Sequence, residues 1–95
     1  MEFEWDERKR RANLTVHGID FEDAIGIWDG PVLEVSSAQL QHGEERILAI
    51  GECEHVIITI VFTWRGKRRR LISVRKARRN ERENYNKELE RTSKG

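Results

Sequence analysis

Apolar residues recur at helical spacing in the first third of the chain, at every second position through the middle, and at helical spacing again near the end. The elements follow from these changes of period. Asp6 precedes a run of good helix formers and reads as an N-cap, and Gly18 closes the run, which predicts a first helix over about Glu7 to His17. Asp20 caps a second helix in which Phe21, Ala24, Ile25 and Trp28 form one apolar stripe, with Asp29-Gly30-Pro31 as its stop. The period then falls to two. Val32 to Val35, Arg46 to Ile50, His55 to Trp64 and Arg68 to Arg75 read as four strands, Ser36 to Gln41 as a loop, and Arg65-Gly66 as a hairpin. From Lys76 the pattern is helical, with Ala77, Tyr85 and Leu89 on one stripe and Arg91 to Gly95 expected to fray.

The order ααββββα predicts an α+β fold: two N-terminal helices, a four-stranded mostly antiparallel sheet and a C-terminal helix. No connection between the strands is long enough for a crossover helix. Val56 to Trp64, apolar on both sides, belongs at the centre of the sheet, with helices on one face and other structure on the opposite one. Residues 1–95 are enough for a single domain that buries roughly 60 to 65% of its unfolded-chain surface without staples.

Charge changes the picture at Trp64. Residues 1 to 64 hold 5 basic and 13 acidic side chains and residues 65 to 95 hold 13 basic and 4 acidic, so the net charge of +1 is a cancellation. Nine cations and no acid lie between Arg65 and Arg79, and seven of the nine are Arg, whose planar guanidinium grips phosphate oxygens two at a time. A polyanionic partner is expected. The alternative, a solvated charge run, fits poorly with the strand Leu71-Ile72-Ser73-Val74 inside the run. Charged and hydrophobic residues each make up 37% of the chain, which hints that a partner completes part of the surface. The lone Cys53 cannot form an internal disulfide and no secretory leader is recognisable, so a cytoplasmic location is expected. The longest apolar run, Val56 to Phe62, is far short of the ~20 residues of a membrane span.

Strict alternation in the last strand puts Arg69, Leu71, Ser73 and Arg75 on one side and Arg70, Ile72 and Val74 on the other. The Arg75 side is the functional candidate: Arg75 and Arg69, with the hairpin residues Arg65, Lys67 and Arg68, would line a phosphate track. A salt bridge from Arg75 to an acid such as Glu52 or Glu54 is the competing reading. Lys9, Asn13 and His17 stand at i, i+4 and i+8, one helical row that could complete an acid–base set, unless Asn13 and His17 only tie down the next turn and Lys9 is solvated. In Gly43-Glu44-Glu45-Arg46 a carboxylate could act on a ribose hydroxyl while Arg46 holds the phosphate, or the acids could simply pair with the basic hairpin. Cys53 and His55, alternating onto one side of a strand, are too few for a zinc site, and no metal or cofactor is expected. Tyr85 reads as a core or edge aromatic. There is no phosphate-binding glycine loop and no nucleophile elbow.

Taken together, Phe3-Glu4-Trp5-Asp6, Lys9, Asn13, His17-Gly18, Phe21-Glu22-Asp23-Ala24, Gly43-Glu44-Glu45-Arg46, Ile50-Gly51 and Leu71-Ile72-Ser73-Val74-Arg75-Lys76-Ala77 with Glu81 and Tyr85 closely resemble the BrnT toxins of bacterial type II toxin–antitoxin systems. The resemblance covers about residues 3 to 85. It implies a fold similar to that of the RelE ribonucleases, RNA cleavage that halts translation, and a BrnA-like antitoxin that pairs with two toxins in a heterotetramer and binds the operator. The family usually reads Ile-Ser-Ala-Arg where this chain has Ile72-Ser73-Val74-Arg75, and Val74 falls on the packed side of the strand.

The expected chemistry is metal-free: the ribose 2′-oxygen attacks the neighbouring phosphate, held by Arg46 and Arg75. Glu44 or His17 is the base, Lys9 supports charge, and Arg65, Lys67, Arg68 and Arg69 bind RNA backbone. The other readings are a non-enzymatic RNA-binding module, which would bind RNA and leave it intact, and a subunit whose basic face meets an acidic antitoxin.

Overall fold

Both predicted aspartate caps form. The Asp6 carboxylate accepts from the Arg8 N–H at 2.8 Å and Asp20 from the Glu22 N–H at 3.0 Å in the computed structural model, which describes residues 1–41 and 43–94. Helix α1 (Glu7–His17) closes at Gly18, whose φ of 71° lets its N–H turn back to the Leu14 carbonyl. The second helix departs from the prediction: α2 (Phe21–Ala24) is one α turn that tightens into a 3-10 helix, Ile25–Asp29. Phe21, Ala24 and Ile27 are the buried residues, a spacing of three that suits the tighter helix, while Ile25 and Trp28 are only partly buried. This segment lies so close to the sheet that a Cβ on Gly51 would stand 2.8 Å from the Ile27 Cβ. Gly51→Ala is therefore expected to cost about 1 to 3 kcal/mol in overpacking, read as a lowered urea midpoint with unchanged slope.

The sheet has five strands, one more than predicted: β1 (Glu2–Glu4), β2 (Leu33–Gln41), β3 (Glu44–Cys53), β4 (Val56–Arg65) and β5 (Arg68–Lys76), in the order β1-β5-β4-β3-β2. β1 runs parallel to β5 and the other pairings are antiparallel, so the sheet is mixed. Three residues are too short to show a period, and β1 exists only because β5 offers it an edge. β4 is central, as its two-sided apolarity requires. The stretch predicted as a loop, Ser36 to Gln41, is strand: pairing with β3 shifts register after Ser36 and resumes at Leu40 opposite Glu45. Backbone pairing with β3 makes strand of a segment whose adjacent serines read as a turn. His55 is not in a strand but shares a turn with Glu54 at positive φ, so Cys53 and His55 do not alternate along one strand. Arg65 faces Arg68 across the predicted hairpin, with Gly66 at φ 61°. Lys76 ends β5, and the last helix, α3 (Arg79–Lys94), runs on through most of the segment expected to fray; Gly95 lies outside the described residues.

The strict alternation expected of β5 fails at one residue. Val61 faces Ser73 but Phe62 faces Leu71, which leaves Ile72 as the extra residue of a β-bulge. Leu71 and Val74, three apart, consequently enter the same core beside Phe21, Ile58, Ile60 and Phe62. Val74 is fully buried, as its place on the packed side predicts. Arg69, opposite Trp64, joins that face, whereas Arg70, Ser73 and Arg75, opposite Thr63, Val61 and Thr59, point to the other. The second face is covered in part by α3, through Ile50, Ala77 and Tyr85 with Leu33, Ile57 and Leu89. The Tyr85 hydroxyl donates to the Pro31 carbonyl at 3.0 Å, a core aromatic with its polar end satisfied.

Candidate active site

Where β1 stops pairing at Arg70, the edge of β5 is taken over by α1. The buried side chain of Asn13 accepts from the Val74 N–H at 3.0 Å and donates to the Val74 carbonyl at 2.8 Å, and it also donates to the Ile19 carbonyl. Asn13 thus acts as a strand substitute, and the structural reading of this residue holds. It also sets Lys9, one turn earlier, over the end of the sheet that α3 leaves uncovered.

At that end Lys9, Glu44, Arg46, Thr63, Arg65, Arg70 and Ile72 line a cleft of about 230 Å³. Glu44 forms an ion pair with Arg65 at 2.8 Å, Arg70 donates to Glu4 at 2.6 Å, and the Thr63 hydroxyl donates to the Glu45 carbonyl at 2.8 Å. Among the described residues Lys9 and Arg46 are the cleft cations without an ion pair. Arg46 is half-buried, and its Nε is fully buried with no hydrogen-bond partner. An unmet buried donor costs about 1 to 3 kcal/mol, so an anion reaching this guanidinium recovers energy that the free protein lacks.

Several of the expected site residues lie elsewhere. Arg75 does not share the cleft with Arg46: its partner Thr59 is four residues from Thr63 along β4, about 13 Å away at roughly 3.3 Å per residue. Arg75 instead forms a two-pronged ion pair with Glu81 (2.7 and 3.0 Å), an acid other than the expected Glu52 or Glu54. Glu81 also accepts from Thr59 Oγ1 at 3.0 Å and from the Arg78 N–H at 2.7 Å, capping the first turn of α3 from its third position. Burial pushes the Glu81 carboxyl up, but the hydrogen bonds from Arg75, the Arg78 backbone and Thr59 together outweigh it and bring it down to about 2. Arg69 is on the far face, its guanidinium 4.5 Å from the Trp64 ring, 5.0 Å from Trp28 and 5.5 Å from Phe62, with Glu34 at 3.4 Å. It is a cation–π staple between β5 and the 3-10 helix, and the bulge at Ile72 is what separates it from the cleft.

His17 lines an adjoining groove with Lys9, Ala12, Asn13, Val16 and Ile72. Lys67 and Arg68 are exposed on the hairpin, Arg68 facing Arg65 at the mouth of the cleft. Arg70, Ile72 and Thr63 are the cleft residues that sequence reasoning missed: alternation assigned Arg70 and Ile72 to the packed side, and nothing in the sequence marks the bulge. Burial pushes the Cys53 thiol up, with Glu54 and Asp23 adding to it, and its Sγ lies 3.6 Å from the Asp23 carbonyl, so it is no nucleophile.

With four cations around one carboxylate that contributes to the lining, the cleft is suited to hold a phosphodiester and to remove a proton beside it. Among the described residues no helix is long and apolar enough to cross a membrane. Residues 5–81 match a family model described as a ribonuclease toxin, BrnT, of type II toxin–antitoxin systems. No curated protein matches the chain.

Proposed function

The chain belongs to the BrnT family of ribonuclease toxins of type II toxin–antitoxin systems, and on that premise we propose that it is a single-domain, metal-independent endoribonuclease whose active site is the cleft between α1 and the end of β3, β4 and β5. The observation that carries this reading is the meeting, in one cleft, of a guanidinium with an unpartnered buried Nε, an unpaired ammonium and a carboxylate: Arg46, Lys9 and Glu44. Arg46 and Lys9 hold the scissile phosphate. Glu44 accepts the proton of the ribose 2′-hydroxyl, and the 2′-oxygen bonds to phosphorus as the bond to the 5′-oxygen breaks, leaving a 2′,3′-cyclic phosphate and a 5′-hydroxyl that takes its proton from solvent. In the free protein Glu44 is held by Arg65. A backbone phosphate reaching Arg65 competes for that pair and releases the carboxylate for its role as base. Of the two expected bases, Glu44 is preferred to His17 because it shares the cleft with Arg46.

RNA loss of this kind halts translation in the cytoplasm until an antitoxin, BrnA-like and joined to two toxins in a heterotetramer, covers the site. The test is incubation of the purified chain with a defined RNA in the presence of a chelator, mapping new 5′ ends and the end-group chemistry. Cyclic phosphate and 5′-hydroxyl ends that persist under chelation are expected. RNA bound with a steep salt dependence yet left intact would replace catalysis by binding. Reversing Lys67 and Arg68 to Glu at the cleft mouth is expected to lower the slope of log affinity against log salt by about 1.4, on the order of 0.7 for each single-strand phosphate that is no longer neutralised. An unchanged slope would take the hairpin off the RNA path.

A further inference from the structure

The bulged residue Ile72 is re-aimed by its loss of a cross-strand partner, and it lines two depressions at once: the cationic cleft, and the groove that runs beside it along α1. Lys9 likewise lines both. The groove differs in chemistry from the cleft. Ala12, Val16 and Ile72 form its walls, and Val16 is 73% exposed on a helix whose buried side chain is the polar Asn13, an arrangement that core packing does not account for. Asn13 commits its amide to Val74 and Ile19, so beside Lys9 the polar side chain there with hydrogen bonds to give is His17, which has none among the described residues.

We infer that this groove is a nucleobase subsite, holding the base of the nucleotide whose 2′-oxygen attacks. The inference rests on the proposed ribonuclease reading and deepens it. A phosphate held between Lys9 and Arg46 places its own nucleoside across Ile72, and the groove is what lies there. Apolar walls receive the faces of a base, and His17 meets its edge. Binding of this kind accepts any base and ranks them by the apolar area they bury, so the preference is broad.

The experiment uses an RNA with one mapped cleavage position and a second RNA in which the ribose on the 5′ side of that position is abasic, retaining its 2′-hydroxyl and phosphate. The wild-type chain is expected to cleave the abasic RNA with kcat/KM about ten- to a hundredfold lower, the loss of the apolar area one base buries against the groove. Ala12→Leu, at an exposed helix position, fills the groove: it is expected to bring the ratio of kcat/KM for intact over abasic RNA down to about one. Equal cleavage of the two RNAs by the wild type, with Arg46→Ala still slowed, overturns the subsite and spares the ribonuclease reading. Cleavage of neither RNA, or cleavage undiminished in Arg46→Ala, removes the ribonuclease reading of the cleft and the subsite with it.

Discussion

Arg46→Ala is expected to slow RNA cleavage by about a hundred- to a thousandfold, the loss of one preorganised cationic donor facing developing charge, or about 3 kcal/mol of transition-state stabilisation. The fold should not suffer. The Arg46 Nε has no partner among the described residues and no ion pair depends on this side chain, so its removal deletes an unmet donor and breaks nothing. Its neighbour Thr63 keeps its own bond to the Glu45 carbonyl. The decisive measurement is a single-turnover cleavage rate set beside a thermal melt of the same preparation. Arg46→Lys, which keeps the charge and loses the fork, should recover only part of the rate. An alanine variant that cleaves at the wild-type rate would move the phosphate away from this cleft.

Arg75→Ala is expected to act in the opposite way, through stability. Glu81 is 6% exposed, and without Arg75 it becomes a buried carboxylate with Thr59 and the Arg78 N–H as its remaining donors. Breaking such a pair costs about 3 to 5 kcal/mol, a fall in Tm of about 15 to 25 °C for a chain of this length, and activity is lost with the fold. The sheet is pinned to α3 through this cluster and the Tyr85 contacts, so α3 should be the first element to lose hydrogen-exchange protection. Replacing both partners together, Arg75→Leu with Glu81→Leu, is expected to cost less than Arg75→Ala alone, because no charge is left stranded. A variant that melts like wild type yet cannot cleave would return Arg75 to the chemistry.

The same pair sets an acid limit. Glu81 titrates at about 2 in the folded chain against 4.5 for an ordinary glutamate, so it binds fewer protons folded than unfolded through that interval. Its contribution, on the order of 3 kcal/mol, is complete above about pH 4.5 and is lost as the pH falls toward 2. Melts of the wild type and of Glu81→Gln across that range should converge at the acid end. Parallel curves would show that the carboxylate is not the group responsible.

Much of the site could be read in advance because it depends on local grammar. The Asp6 cap and the Gly18 stop place Lys9, Asn13 and His17 in one row of α1, whereas Glu44 shares a side with Arg46 because β3 begins at Glu44, two residues before the predicted strand. The central place of β4 and the Arg65-Gly66 hairpin followed from the same kind of signal. The family was recognisable too, since it is carried by the order and spacing of these short segments.

What the sequence determined by itself, then, was the set of elements with strong caps, turns and apolar periods, and the concentration of cations toward the C-terminal end. Tertiary structure alone decided which cations meet. The bulge at Ile72 sends Arg69 to the aromatic face and Arg70 to the cleft, β1 adds itself to an edge that β5 provides, and Glu81 draws Arg75 into the α3 cap. The first two depend on the register between strands or on a partner distant in sequence, and the third on how α3 turns back to set Glu81, six residues on, against Arg75; none leaves a trace in local hydrophobic pattern, and one unpaired residue reverses every side chain beyond it.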